Sequence, residues 1–131
     1  MAEGTFGTAV NCMDGRVQLP IINWMVDKYH LDYVDMITEP GPDKILAERD
    51  AEGTASIKRR VEISVTKHGS RLVVLVSHGD CAGNPVPEEV HLGQLRKAME
   101  LVRSWDLPVT IVGVWLDDKT WQPEIVAVIS P

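Results

Sequence analysis

Apolar residues along the chain fall into two kinds of run that alternate. Residues 6–11, 33–38, 71–77, 109–116 and 124–129 are short stretches dominated by apolar side chains, which predicts strands. The run over 71–77 is nearly continuous, as a central strand buried on both faces requires. Between these stretches apolar positions recur at three and four residues instead. Ile21, Ile22, Met25, Val26 and Tyr29 predict a helix opening at Pro20, since proline is tolerated in a first turn. Ile57, Val61 and Val65 predict a second helix over about 54–68, stopped by Gly69 as a C-terminal glycine. Leu92, Leu95, Met99, Val102 and Trp105 predict a third over about 87–105. Pro40-Gly41-Pro42 reads as the turn that closes the second strand.

Strands that alternate with helices of this size predict a three-layer α/β fold, with a mostly parallel five-stranded sheet covered by helices on both faces. If the second strand lies to one side of the first and the third to the other, the order is 2-1-3-4-5, the last strand antiparallel after a turn around residues 117–122. A switch point then opens between the first and third strands, where open α/β sheets bind ligands beyond the C-terminal strand ends. Cys12 follows the first strand and His78 the third, so residues remote in sequence are expected to meet in space.

Composition narrows the picture. At 131 residues the chain is expected to form one domain, residues 1–131, large enough to bury about two-thirds of its unfolded surface. A net charge of -6 argues against a nucleic-acid partner, which needs a concentrated basic surface. The one basic cluster, Lys58-Arg59-Arg60, reads as the solvated face of a helix. No apolar run approaches the roughly 18 residues of a membrane span and no leader segment is evident, so a cytoplasmic protein without a membrane partner is expected. In that reducing compartment two lone cysteines are metal ligands or reactive thiols more often than a bridge.

The two cysteines and His78 carry the chemistry. Cys12, His78 and Cys81 offer two thiolates and an imidazole, a donor set that holds a catalytic zinc ion with its fourth position open. A redox-active cysteine pair is the rival reading. In Cys12-Met13-Asp14-Gly15-Arg16, side chains at alternate positions project to one side of an extended or turning segment, bringing a carboxylate and a guanidinium beside the metal.

With the first strand followed by cysteine, aspartate and arginine, and the third by His78-Gly79-Asp80-Cys81-Ala82-Gly83, the chain resembles the β-class carbonic anhydrases over nearly its whole length. Val112-Gly113-Val114-Trp115-Leu116-Asp117 is similar to that family's late strand and turn. The resemblance implies a zinc-dependent lyase that reversibly hydrates carbon dioxide to bicarbonate by zinc-bound hydroxide. Cys12, His78 and Cys81 would then be zinc ligands, Asp14 and Arg16 the family's catalytic dyad, and the protein a homodimer or larger homo-oligomer. Release of Asp14 from Arg16 would let it coordinate zinc in an inactive, closed site. Three departures accompany the likeness: the first strand is predicted only a few residues into the sequence, so the family's helical arm is expected to be missing; Gly15 replaces the usual serine; and Thr38-Glu39-Pro40-Gly41-Pro42-Asp43 replaces the family's glycine- and asparagine-containing loop. Hydrolysis of carbonyl sulfide or carbon disulfide at the same site, and catalytically silent zinc binding, are the alternatives.

Asp80, between two ligands, is expected to cap backbone, to orient the loop or to accept a proton. His30, His68 and His91 are candidate proton carriers but read as surface or helix-end residues. Trp24, Trp105, Trp115 and Trp121 read as core or subunit-contact groups.

Overall fold

The computed structural model describes residues 2–131. Five strands, β1 (Phe6–Cys12), β2 (Tyr33–Glu39), β3 (Leu72–His78), β4 (Thr110–Leu116) and β5 (Pro123–Ile129), form one sheet in the order β2-β1-β3-β4-β5. The first four are parallel and β5 runs antiparallel to β4, as the sequence predicts. All seven residues of β3 are buried, which fits its unbroken apolar run.

Among the described residues four α-helices cover the sheet: α1 (Gln18–Tyr29), α2 (Pro42–Ala47), α3 (Ala51–Lys67) and α4 (Glu88–Arg103). One core cluster joins Ile21 and Met25 of α1 to Ala9, Val74, Val76, Val112 and Val114. The other joins Leu46 of α2, Ile57 and Val61 of α3, and Leu95 and Met99 of α4 to Val10, Val73, Leu75 and Ile111. The sheet therefore lies between α1 and the other three helices, and alternate residues of β3 face opposite layers.

Two helix boundaries differ from the periodic reading. α1 begins before Pro20 and follows a 3-10 turn at Gly15–Val17, because the proline sits among the first helical positions, whose N–H groups lack partners in any case. α2 is absent from the sequence reading. Gly41, at φ 64, turns the chain and Pro42 opens the helix directly behind it. α3 starts at Ala51 because the Asp50 side chain accepts from Gly53 N at 2.8 Å, and Gly69 follows its end at φ 70. Among the described residues no helix is long and apolar enough to cross a membrane.

Candidate metal centre

The centre stands at the C-terminal ends of β1 and β3, the switch point of the sheet. Cys12 ends β1, and the segment beyond it is fastened by three side chains. Asn11 Oδ1 accepts from Cys12 N at 2.9 Å while Asn11 Nδ2 donates to Val17 O at 3.1 Å. Gln18 Nε2 donates to Cys12 O at 2.7 Å and to Asp14 O at 3.0 Å. Asp14 then caps the 3-10 turn, its Oδ1 accepting from Arg16 N at 2.9 Å. The chain bends sharply here, so the thiol and the carboxylate share one corner.

Cys12 Sγ and Cys81 Sγ lie 3.9 Å apart, and both sulfurs and a ring nitrogen of His78 lie within 4.8 Å of one another. All three residues are buried. His78 Nδ1 donates to the carbonyl of Gly79 at 2.7 Å, which fixes the tautomer and leaves Nε2 as a lone-pair donor. That Nε2 is buried and has no hydrogen-bond partner among the described residues. A buried nitrogen of this kind calls for a partner, and two sulfurs and an imidazole at this separation suit tetrahedral zinc.

Burial alone would raise the Cys12 thiol, but the neighbouring His78 imidazole and the backbone amides of Gly41 and Asp14 outweigh it and bring the thiol down to about 7. Burial and then the Cys12 thiolate push Cys81 up to about 11, against the pull of the Asn84 and Gly83 amides. The metal-free pair thus holds one thiolate easily and a second only with difficulty, and a cation between them would relieve that repulsion.

Asp14 and Arg16 form a bidentate pair, with Arg16 Nη2 donating to Asp14 Oδ2 at 2.6 Å and Nε to Oδ1 at 3.1 Å. This pairing, chiefly the side-chain hydrogen bond, holds the Asp14 carboxyl down to about 2. Arg16 is itself held from two further sides. Its Nη1 donates to Asp80 Oδ2 and its Nη2 to Asp80 O, both at 3.1 Å, and the Trp121 ring lies 5.0 Å from its guanidinium carbon. Asp80, at φ 56, therefore orients the loop through Arg16. Trp121 and Trp24 also line an open groove of about 430 Å³ beside the pair.

The histidines divide. His30 is exposed at the C-cap of α1, and His68 caps α3 and pairs with Asp35 at 2.7 Å. His91 departs from the expected surface position: it is 0% exposed, with Nδ1 2.6 Å from Asp43 Oδ2. It stands four residues before Leu95, on the buried stripe of α4, in the place the sequence reading gave to Leu92. Of the tryptophans, Trp115 is buried and the other three are half-buried. The basic cluster is only partly solvated, since Arg60 pairs with Glu39 and Lys58 Nζ lies 6.0 Å from the Trp105 ring. Gln18 and Asn11 were missed as site residues, and only their nearness to Cys12 could have signalled them.

A family model described as "Putative carbonic anhydrase" matches residues 2–127. No curated protein matches the sequence. Among solved structures, the carbonic anhydrase from Glaciozyma antarctica superimposes with a TM-score of 0.61 at 16% identity, over 92% of this chain and 81% of that one. A tetrameric β-carbonic anhydrase from the filamentous ascomycete Sordaria macrospora gives 0.56 at 13% identity, over 98% and 84%. Likeness at that identity shows a common fold. The match along nearly the whole chain shows more: the protein belongs to this carbonic anhydrase family and is built on the β-class fold.

Proposed function

We propose that the protein is a zinc-dependent carbonic anhydrase that interconverts carbon dioxide and bicarbonate. The observation that carries the reading is the convergence of Cys12, Cys81 and the unpartnered His78 Nε2 within 4.8 Å, beside a locked Asp14–Arg16 pair, in a chain of this family. Cys12, His78 and Cys81 would hold the zinc, which when bound supplies a Lewis acid that brings the ionisation of a water toward about pH 7.

The chain's own residues do the rest. Asp14 stays a carboxylate across the physiological range and is confined to one orientation, so it serves as a fixed acceptor that aims the attacking oxygen at the carbon of carbon dioxide. Arg16 occupies both Asp14 oxygens, which keeps that carboxylate from turning onto the metal. Asp80 and Trp121 hold Arg16 in place. The apolar floor of Ala9, Val74, Val76 and Leu116 excludes water from behind the ligands.

Assembly into a homo-oligomer in a reducing, cytoplasmic compartment completes the proposal. Its support is the apolar outer strand β5, where Ile125 and Val128 are exposed, together with exposed Met13 and Leu19 near the centre.

Stopped-flow hydration of carbon dioxide, run beside carbonyl sulfide hydrolysis on one zinc-loaded preparation, tests the activity. Hydration by the wild type and at least a hundredfold loss in Asp14→Ala, with zinc retained, is the expected result. Sulfide release without hydration moves the protein to the alternative hydrolase, and inertness toward both leaves a silent zinc-binding protein.

A further inference from the structure

Behind the metal centre, on the opposite face of β3, lies a polar cluster inside an otherwise apolar layer. Its hub is Asp43, whose side chain is 2% exposed. Oδ2 accepts from Ser77 Oγ at 2.7 Å and lies 2.6 Å from His91 Nδ1; Oδ1 accepts from Asn84 Nδ2 at 3.0 Å and from Lys44 N at 2.8 Å. Asn84 Nδ2 also donates to Gln94 Oε1 at 2.6 Å. Burial would push the Asp43 carboxyl up, but its bonds from His91, Ser77 and Asn84 more than offset this, and it is held as a carboxylate.

Two of these partners lie close in sequence to a ligand. Ser77 immediately precedes His78, and Asn84 is three residues past Cys81, with its backbone N–H on the Cys81 carbonyl at 3.3 Å. Asp43 is two residues past Gly41, in the first turn of α2, directly behind the loop joining β2 to α2. That loop lies hard against the one bearing Cys81: a Cβ on Gly83 would be 2.6 Å from the Pro40 carbonyl carbon, and one on Gly41 would be 2.9 Å from Asn84 Cβ. The same two loops direct the amides of Gly41 toward Cys12 and of Gly83 and Asn84 toward Cys81. Met13 N, donating to Glu39 O at 3.0 Å, fastens the segment after Cys12 to the end of β2.

A buried carboxylate with four donors is costly to desolvate, and an apolar side chain can often replace such a group without loss of stability. Its place between the three ligand-bearing segments needs another reason. We infer that Asp43 is a positioning residue for the metal centre, locking the β2–α2 loop against the Cys81 loop through Asn84 and His91 so that Cys12, His78 and Cys81 are preassembled to hold metal. The inference rests on the zinc-site reading above.

The test compares wild type, Asp43→Ala, Asn84→Ala, the double variant and Asp43→Asn. Zinc affinity is measured by competition with a chromophoric chelator, the cobalt(II)-substituted spectrum is recorded, and thermal unfolding of metal-free protein is the control for folding. The expected result is about 10–100-fold weaker zinc binding in Asp43→Ala, with an altered thiolate-to-cobalt absorption band. Asn84→Ala should shift both readings the same way, and the double variant should be little worse than Asp43→Ala, since both break one link. Asp43→Asn should recover most of the affinity, because its oxygen still accepts from Asn84 while His91 can change tautomer. Folded variants with wild-type affinity and an unchanged cobalt spectrum would overturn the inference while leaving the zinc site standing. If Asp43→Ala does not fold, Asn84→Ala decides alone. Wild type that binds neither metal removes the zinc-site reading, and the inference with it.

Discussion

Replacing Arg16 by Met keeps an unbranched stem over Trp121 but takes away the guanidinium that engages both oxygens of Asp14. In the wild type this pairing holds the Asp14 carboxyl at about 2 against an ordinary 3.8, and the difference corresponds to about 2 kcal/mol. Arg16 is 48% exposed, so solvent screening leaves only part of this to the stability of the folded state. The folded-state value lies below the unfolded one, so this contribution is fully present above about pH 4 and is lost as pH falls toward about 2. In Arg16→Met the carboxyl should rise toward 3.8 without reaching it, because Asp14 Oδ1 still accepts from the backbone N of residue 16. Carbon-13 NMR of the Asp14 side chain in metal-free protein, followed between pH 1.5 and 6, reads the value directly, and urea unfolding at pH 7 should show a modest loss of stability. A carboxyl that still titrates near 2 in the variant would show that backbone or His78, and not Arg16, holds Asp14, and the locked pair would lose its role.

Two further outcomes follow from the same geometry. Thiolate absorbance near 240 nm in metal-free protein should rise in two steps, around pH 7 for Cys12 and around pH 11 for Cys81; a single step near 9 would mean that the sulfurs do not share a site. Sedimentation at micromolar concentration should give at least a dimer, and Val128→Lys, on the exposed side of β5, should shift the protein toward monomer; an unchanged oligomer in that variant would move the interface elsewhere.

Periodicity carried the sheet because its strands are short, apolar and separated by helices with a different period. In the order 2-1-3-4-5 the ends of β1 and β3 must adjoin, which is enough to bring Cys12, His78 and Cys81 together. α2 was illegible for a local reason: six residues give too little periodicity, and Pro40-Gly41-Pro42 is as good a loop as a helix entry. The buried cluster was hidden for a different reason. Asp43, Ser77, Asn84 and His91 come from four separate segments, and each taken alone has the polarity of a surface residue. His91 did leave a signal in its spacing to Leu95, Ala98 and Val102, which put it on the buried stripe of α4. The cation–π contact of Trp121 on Arg16 left none, since it depends on how the β4–β5 turn folds back over the first strand's end.

X-ray absorption at the zinc edge of metal-loaded protein tests the central claim most directly. The predicted first shell is two sulfurs at about 2.3 Å and two lighter atoms near 2.0–2.1 Å, one from His78 and one from the fourth, open position. Loss of one sulfur in Cys12→Ser should accompany weaker binding. A shell with no sulfur, or one unchanged in Cys12→Ser, would contradict the assignment of Cys12, His78 and Cys81 as the metal centre.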